Sequence, residues 1–429
     1  MSDFLFFAGG ECVSRHGTIV WRESEAQDNA ATFTRAQGSA AQATTYVGGS
    51  GRIVTTDANI PRVSWNDGTP SLLIEQAFTN LHQTDAVSSW SDNQTSGTTI
   101  TSNVSDPAGG TGAYTITGAT GGASRGRNAG INAFSDTGIK SAVFVIKEGT
   151  MPSSGNQMLG LEDSDASAWR LRLTITGWVA GKPTITATTG THLGSRYIGN
   201  GFWAVYGNTT SCTHESGGSA VAHRVYVYSN ESSVTCSGAA CPAITVYRVN
   251  VYNDTSPRYS IVSQSGTPQD ETFYADFVAP PQAMTVYAKF QDAGSLKLAA
   301  TQGILHIGGT SASSGSRLQL EVPSGTEYKL GYAVGSSGVE SKLTSAAVWS
   351  SEVELRGVLS ATGTGQLGQS IDGGAETLAT ESSAVALPTS WESPRIYIGS
   401  HGTDRYGAGV YQAIKVARGE KTMAQMRAL

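Results

Sequence analysis

Apolar and polar residues alternate along most of this chain, and that period of two restricts its folds more than any other feature. Between Arg170 and Thr176, residues Leu171, Leu173 and Ile175 share one face while Arg170, Arg172, Thr174 and Thr176 share the other. This is the pattern of a strand with one side in a core. Leu318, Leu320 and Val322 alternate in the same way with Arg317, Gln319 and Glu321, and further β-rich runs fall at 141–147, 202–206, 223–229, 244–252, 284–290 and 395–399. Clusters of Gly, Ser, Asn and Asp, which tolerate tight turns, separate these runs. The 52 glycines follow no Gly-X-Y period, so a collagen helix is excluded, and 39% hydrophobic residues with a net charge of only -6 exclude a wholly disordered chain. Short strands at this spacing predict an all-β protein built from antiparallel sandwiches rather than a parallel α/β sheet. One helix is predicted, from about Glu420 to Leu429, where Met423 and Met426 lie three apart on one face.

A length of 429 residues predicts two or three compact units at roughly 150 residues each. Composition divides the chain into an extended N-terminal segment at 1–82, a first strand-rich block at 83–262, a connection at 263–282 containing Pro268, Pro280 and Pro281, and a second block at 283–429. Two tandem antiparallel β-sandwiches follow from this division. No repeat of 20–50 residues marks a solenoid or propeller. The acidic balance, with a sequence pI near 5.7, gives no general attraction to nucleic acid or anionic lipid, so neither is expected as a partner. No apolar run approaches the roughly 18–20 residues that span a bilayer. The run Phe4 to Phe7 is too short for a secretory leader and follows Asp3 instead of a positive flank.

Chemistry-bearing residues are sparse. Cys212, His214, His223, Cys236 and Cys241 fall within one stretch, 212–241, and a zinc ion takes four such ligands. If 202–209 and 223–229 are paired strands, Cys212 and the Cys236/Cys241 pair sit at opposite ends of a hairpin, roughly 20 Å apart at about 3.3 Å per residue. A Cys236–Cys241 disulfide across a loop tip fits better, with free thiols as the alternative, and no metal ligands are assigned. Gly122-Ala-Ser124-Arg-Gly126 matches a nucleophile turn, but GRNAGINAF follows it where a helix is required. Gly363-Thr-Gly365-Gln-Leu-Gly368 lacks the βαβ setting of a dinucleotide loop and is read as a hairpin connection.

Glu162, Asp163 and Asp165 form an acidic cluster in a turn, open to calcium or to plain solvation. Glu352 and Glu354 read as the wet side of a strand. No catalytic residue is assigned, although a sandwich with two acids about 5–10 Å apart would be the alternative, a polysaccharide depolymerase. Trp169, Trp178, Trp203, Tyr226 and Tyr228 are the candidate carbohydrate-binding residues, because such rings combine a broad apolar face with a polar edge. The same rings suit a strand core.

Phe33, Arg35, Ala43, Thr44, Tyr46, Pro61, Arg62, Leu72, Leu73, Ile74, Glu75, Thr79, Asn80 and Leu81 form a pattern similar to the opening segment of many tailed-bacteriophage virion proteins. IGNGFWAV at 198–205 resembles a late strand of the jelly-roll, carbohydrate-binding-type module that follows in that group. PPQAMTVYAKF at 280–290 and IYIGSHG at 396–402 resemble the entry and a late strand of a concanavalin-like or laminin-G-like sandwich. The resemblance implies a non-enzymatic virion structural protein of the tail-fibre, receptor-binding or capsid-decoration type, on the tail or the head exterior. It implies other virion proteins as partners, a homo-oligomer such as a trimer, host surface polysaccharide as a ligand, and no cofactor, with calcium left open. No sugar or calcium ligand carries over residue by residue.

Overall fold

The computed structural model describes the strands 4–8, 11–13, 19–22, 31–34, 45–47, 53–55, 62–64 and 71–74, residues 82, 87 and 90–92, and then 98–118, 126–134, 138–163, 168–212, 221–231, 241–252, 272–276, 283–292, 302–308, 316–323, 327–334, 336–344, 351–388, 391, 395–400 and 409–429. Among the described residues every element but one is a strand, as the period of two requires. The chain separates into two units. One comprises Gly38–Thr55 and Phe78–Pro268, the other Met1–Gln37, Thr56–Ala77 and Gln269–Leu429.

In the central unit, two six-stranded antiparallel sheets share one core. The first sheet runs Thr99–Val104, Ala113–Thr117, Ala243–Tyr252, Ser141–Lys147, Phe202–Asn208, Thr191–Tyr197. The second runs Lys182–Thr189, Ala168–Val179, Gln157–Asp163, Val221–Tyr228, Gly126–Phe134, Ser91–Asp92. Ala142, Phe144, Ile146 and Val205 from the first sheet meet Leu159, Leu161, Leu171, Leu173, Ile175, Val225 and Val227 from the second, all fully buried. The alternation at 170–176 thus puts its three apolar side chains in this core. Burying each branched side chain contributes about 1.5–3 kcal/mol before the entropy of ordering is set against it. The outer face of the first sheet is buried as well: Val143, Val145, Tyr206, Asn250 and Tyr252 are all at 0% exposure.

Phe202–Asn208 and Val221–Tyr228 lie in different sheets. The hairpin on which the sequence-based placement of the cysteines rested is therefore not formed. Each strand instead pairs with others, Phe202–Asn208 with Ser141–Lys147 and Val221–Tyr228 with Gln157–Asp163 and Gly126–Phe134. That last strand contains the GRNAGINAF segment, so the nucleophile-turn match leads into a strand; Ser124 itself lies outside the described residues.

The other unit is also a two-sheet arrangement. Thr377–Ala384, Thr364–Ile371, Glu352–Leu359, Met284–Asp292 and Gly409–Arg418 lie side by side in the larger sheet, and Ser337–Thr344, Glu327–Val334, Arg317–Val322, Gln302–Gly308, Arg395–Ile398 and Thr272–Asp276 in the smaller. Val286, Ala288, Phe290, Val353 and Leu355 of the larger sheet and Leu305, Ile307, Leu318, Leu320 and Val322 of the smaller fill the core. Gly357 faces this core, where a Cβ would come 2.6 Å from Leu330 Cδ1. The Gly363 region is a hairpin turn, with Gly363 at φ +79, while Gly365 and Gly368 lie in the strand that follows.

Strands from the first 82 residues belong to these same sheets. Phe4–Ala8 and Ser71–Ile74 both pair with Gly409–Arg418, and Ala31–Thr34 pairs with Thr272–Asp276. The predicted helix forms at Met423–Ala428, capped by a reciprocal Thr422 and Gln425 pair, and buries Met423 and Met426 against Tyr287 and Ala417 on the outer face of the larger sheet. This docking changes the reading of Glu354. It is 6% exposed, accepts the Tyr287 hydroxyl at 2.7 Å and pairs with Arg427, so this position is covered and not the wet side of a strand.

Candidate functional site

The five candidate aromatics divide into separate environments. Trp169, Tyr226 and Tyr228 come together on the outer face of the second sheet of the central unit, packed with Met158. The Trp169 ring stands edge-on to Tyr226 at 5.0 Å and to Tyr228 at 6.3 Å. Gly160 makes room for it, since a Cβ there would come 2.6 Å from the indole. The Tyr226 hydroxyl donates to Glu162, and burial together with that carboxylate pushes its pKa up to about 12. Arg172 pairs with Glu231 and lies 5.9 Å from the Trp169 ring. Tyr226 and Tyr228 are each 3% exposed, so their faces are already occupied by protein.

Trp178 belongs elsewhere. It packs against the inner core and its indole N–H donates to Gln157 Oε1 at 3.0 Å. Gln157 is fully buried and passes the restraint on, donating to the carbonyl of Ala243 at 2.7 Å.

Trp203 lies at the side of the sandwich where the edge strands of the two sheets follow one another. Lys182–Thr189 is an edge strand of the second sheet and Thr191–Tyr197 an edge strand of the first, joined by Gly190 alone. Gly190 has φ +74, and a Cβ there would sit 2.4 Å from the Asn208 carbonyl oxygen, so the crossing requires glycine. Two turns shape the corner. At Ala180 (φ 49) and Gly181 (φ 80), consecutive positive φ values close the hairpin of Ala168–Val179 and Lys182–Thr189, leaving Val179 at its tip 70% exposed. At Gly199 and Asn200 the chain reverses again, with Phe202 N–H donating to the Gly199 carbonyl at 2.9 Å, and this places Tyr197 opposite Trp203 in register. The Asn200 amide fixes the turn by donating to Ser105 Oγ and to the Asp106 carbonyl, both at 2.8 Å.

The result is an accessible aromatic pair. Tyr197 is 45% exposed and stands edge-on to the half-buried Trp203 at 5.5 Å, its hydroxyl accepting the Gly201 N–H at 3.1 Å. Lys182 Nζ lies 5.6 Å from the Trp203 ring centre. Earlier on the strand that carries Tyr197, His192 Nε2 and Ser195 Oγ share a hydrogen bond of 3.1 Å, and burial, with Lys182 adding to it, holds the imidazole below its ordinary pKa. An open ring pair with an ammonium beside it can stack on the apolar face of a sugar and hydrogen-bond its hydroxyls. Tyr197 and Lys182 were not among the sequence candidates. The Asn200-Gly201 turn was the signal that could have found Tyr197, because an Asn-Gly hairpin fixes which residues stand opposite.

The acidic residues are engaged differently from their sequence reading. Glu162 and Asp163 end the strand Gln157–Asp163 instead of occupying a turn, and Asp165 lies outside the described residues. Glu162 accepts from Tyr226, whereas Asp163, 1% exposed, pairs with Arg170 at 3.1 Å. Cys212 is a buried free thiol whose pKa burial raises; its sulfur lies 3.9 Å from Thr209 Oγ1. Cys241 is disulfide-bonded, while His214 and Cys236 lie outside the described residues. Among the described residues no three His, Cys, Asp or Glu gather as a metal shell would require, and no helix is long and apolar enough to cross a membrane.

No family model and no curated protein matches the chain. Solved structures similar to part of it include the Ruminococcus gnavus IT-sialidase carbohydrate-binding module bound to α2,3 sialyllactose, at TM-score 0.27 and 12% identity over 34% of this chain and 81% of that one. Another is tailspike protein 2 from an Escherichia coli O157:H7 bacteriophage, at TM-score 0.28 and 14% identity, covering 35% of this chain and 22% of the tailspike. A third is the receptor-binding domain of botulinum neurotoxin mosaic serotype C/D, at TM-score 0.27 and 8% identity over 37% of this chain and 39% of that one. The neighbours thus include a phage tailspike and a carbohydrate-binding module, each matching about a third of the chain.

Proposed function

We propose that this chain is a non-enzymatic structural protein of a tailed-phage particle, in the tail or on the head exterior, that contacts host surface polysaccharide through the corner formed by Tyr197, Trp203 and Lys182. The observation that carries the glycan reading is the exposed, edge-on ring pair beside an ammonium. Sugar stacking requires an open ring face; Tyr226 and Tyr228 are each 3% exposed and offer none, and the partly buried Trp169 packs edge-on against both. The particle assignment is supported by the virion-protein pattern at 33–81 and 280–290. Its partners are then other virion proteins and further copies of itself, a trimer if it forms a fibre. The non-enzymatic reading is supported by the engagement of Glu162, Asp163 and Glu354 with Tyr226, Arg170 and Arg427.

The test is retention of the full chain on host envelope polysaccharide, with Trp203→Ala and Tyr197→Ala measured beside it. Binding by the parent protein and loss in both variants supports the reading. Equal retention by all three removes the corner from it, and release of reducing sugar from the polysaccharide would overturn the non-enzymatic assignment in favour of a depolymerase.

A further inference from the structure

The strand Ser141–Lys147 ends beside the two turns that shape the Tyr197 and Trp203 corner, and Lys147 and the residue after it, Glu148, lie against one turn each. At Gly201 a Cβ would sit 3.0 Å from Lys147 Cε and 3.5 Å from its Nζ. At Gly181, on the hairpin tip of the other sheet, a Cβ would sit 3.9 Å from Glu148 Oε2. A third strand therefore reaches the corner, and it brings a carboxylate.

One buried amide braces this placement. The indole of Trp178, just before the hairpin tip, donates to Gln157 Oε1 at 3.0 Å, and Gln157 Nε2 donates to the carbonyls of Ala243 at 2.7 Å and Thr150 at 3.2 Å. The Ala243 N–H donates to the same Thr150 carbonyl at 2.8 Å. Gln157 thus ties the hairpin that carries Gly181 and Lys182 to the segment that carries Glu148, which lowers the ordering cost when a ligand arrives.

The charged groups themselves are unspent. Glu148 and Lys182 are exposed and Lys147 is partly buried, and among the described residues none of the three has a hydrogen bond or an ion pair with protein. The lysines touch only rings, Lys147 that of Phe202 and Lys182 that of Trp203, each at 5.6 Å. An exposed charge is ordinarily just hydrated; here the three stand around an open ring pair.

We propose that Glu148 is the hydroxyl acceptor of the corner and that the glycan unit bound there is a neutral hexose with two adjacent free hydroxyls. This rests on the reading of the corner as a glycan site. The ammoniums suit neutral and acidic sugars alike, since a donor needs only an acceptor. Glu148 separates the two classes. Its two oxygens accept a pair of hydroxyl donors, whereas a sugar carboxylate or phosphate brought up to the rings meets a like charge.

The experiment titrates the full chain at pH 7.5 with methyl α-glucoside, methyl α-galactoside and methyl α-mannoside, and with methyl α-glucuronide as the acidic counterpart, by ligand-observed NMR. At least one neutral glycoside is expected to saturate with a millimolar Kd, and Trp203→Ala to abolish that binding. Glu148→Gln should weaken the same glycoside about tenfold, as loss of a charge-assisted hydrogen bond does. Its melting temperature should not change, because an exposed side chain without protein partners contributes little to stability. The glucuronide should bind the parent protein more weakly than the neutral glycosides, and Glu148→Gln should narrow that gap. Loss of binding in Trp203→Ala with unchanged affinity in Glu148→Gln overturns the acceptor assignment and leaves the glycan reading of the corner standing. Binding that survives Trp203→Ala places the sugar elsewhere and overturns both. A glucuronide that binds tighter than every neutral glycoside, or no saturation by a neutral glycoside up to about 100 mM, overturns the proposal, while retention on host polysaccharide decides the corner reading separately.

Discussion

The central sandwich contains two aromatic clusters of similar composition and opposite exposure. At Trp169, Tyr226 and Tyr228 the rings pack on one another, on Met158 and over Gly160, and the Tyr226 hydroxyl is tied to Glu162. At Tyr197 and Trp203 the rings touch edge-on but leave Tyr197 45% exposed beside Lys182. The first sits on the face of a sheet, where neighbouring strands close over a side chain from both sides. The second sits at the rim, with Tyr197 on an edge strand and Trp203 on the strand beside it, next to a tight turn, where one side is open. Ring content alone therefore does not tell an open ring face from a packed one; position in the sheet does.

The sharpest way to break this comparison is to truncate one ring from each cluster. Trp169→Ala should destabilise the protein by roughly 2–3 kcal/mol, less than a fully buried tryptophan would because the ring is only partly buried. Chemical denaturation measures this, and polysaccharide affinity per folded molecule should not change. Tyr197→Ala should do the reverse, with a stability change within about 0.5 kcal/mol, as expected of a surface position, and an affinity loss of about tenfold. An affinity loss in Trp169→Ala without destabilisation would invert the assignment of the two clusters.

A second, smaller effect concerns charge. Lys182→Met keeps the stem of the side chain and removes the ammonium near Trp203. Affinity should fall by about two- to fivefold, the range of an exposed cation–π contact or charge-assisted bond. If the glycan is acidic, the loss should shrink as salt rises, because the Debye length contracts to about 3 Å at 1 M. Calorimetric titration at low and high salt reads both quantities, and an unchanged affinity at both would remove Lys182 from the contact surface.

Local periodicity made the strands legible. Leu171, Leu173, Ile175, Leu318, Leu320 and Val322 all enter cores as their spacing predicts, and Met423 and Met426 form the buried face of the C-terminal helix. Pairing was less legible, because a strand does not name its partner. Phe4–Ala8 joins Gly409–Arg418 at the other end of the chain, and no local signal encodes that contact. The same gap explains Phe202–Asn208 and Val221–Tyr228, neighbours in sequence that belong to different sheets. Glu354 has the pattern of a solvated position, and only the docking of Arg427 and Tyr287 reveals its burial. At the corner, Trp203 was visible as a ring type, whereas Lys182 arrives from a strand of the other sheet.

The smallest effect is expected from pH. His192 hydrogen-bonds Ser195 on the strand that presents Tyr197, and burial foremost, with the charge of Lys182 adding to it, depresses its pKa below the ordinary 6.5. A histidine with a lowered folded-state pKa binds its proton more readily when unfolded, so the stability it contributes is present above pH 6.5 and is lost as pH falls through the folded value. Between pH 7 and 8 the imidazole is neutral, and affinity for an uncharged glycan should be flat. Below pH 6.5, protonation would place a second positive charge beside Lys182 and loosen the edge strand Thr191–Tyr197 that presents Tyr197. His192→Gln should remove this acid sensitivity while leaving affinity at pH 7.5 nearly unchanged. In the Trp169 cluster no imidazole is involved, so Trp169→Ala should keep the acid response of the parent protein. A response that disappears with Trp169→Ala and survives His192→Gln would place the titrating group in the buried cluster and reverse the contrast between the two.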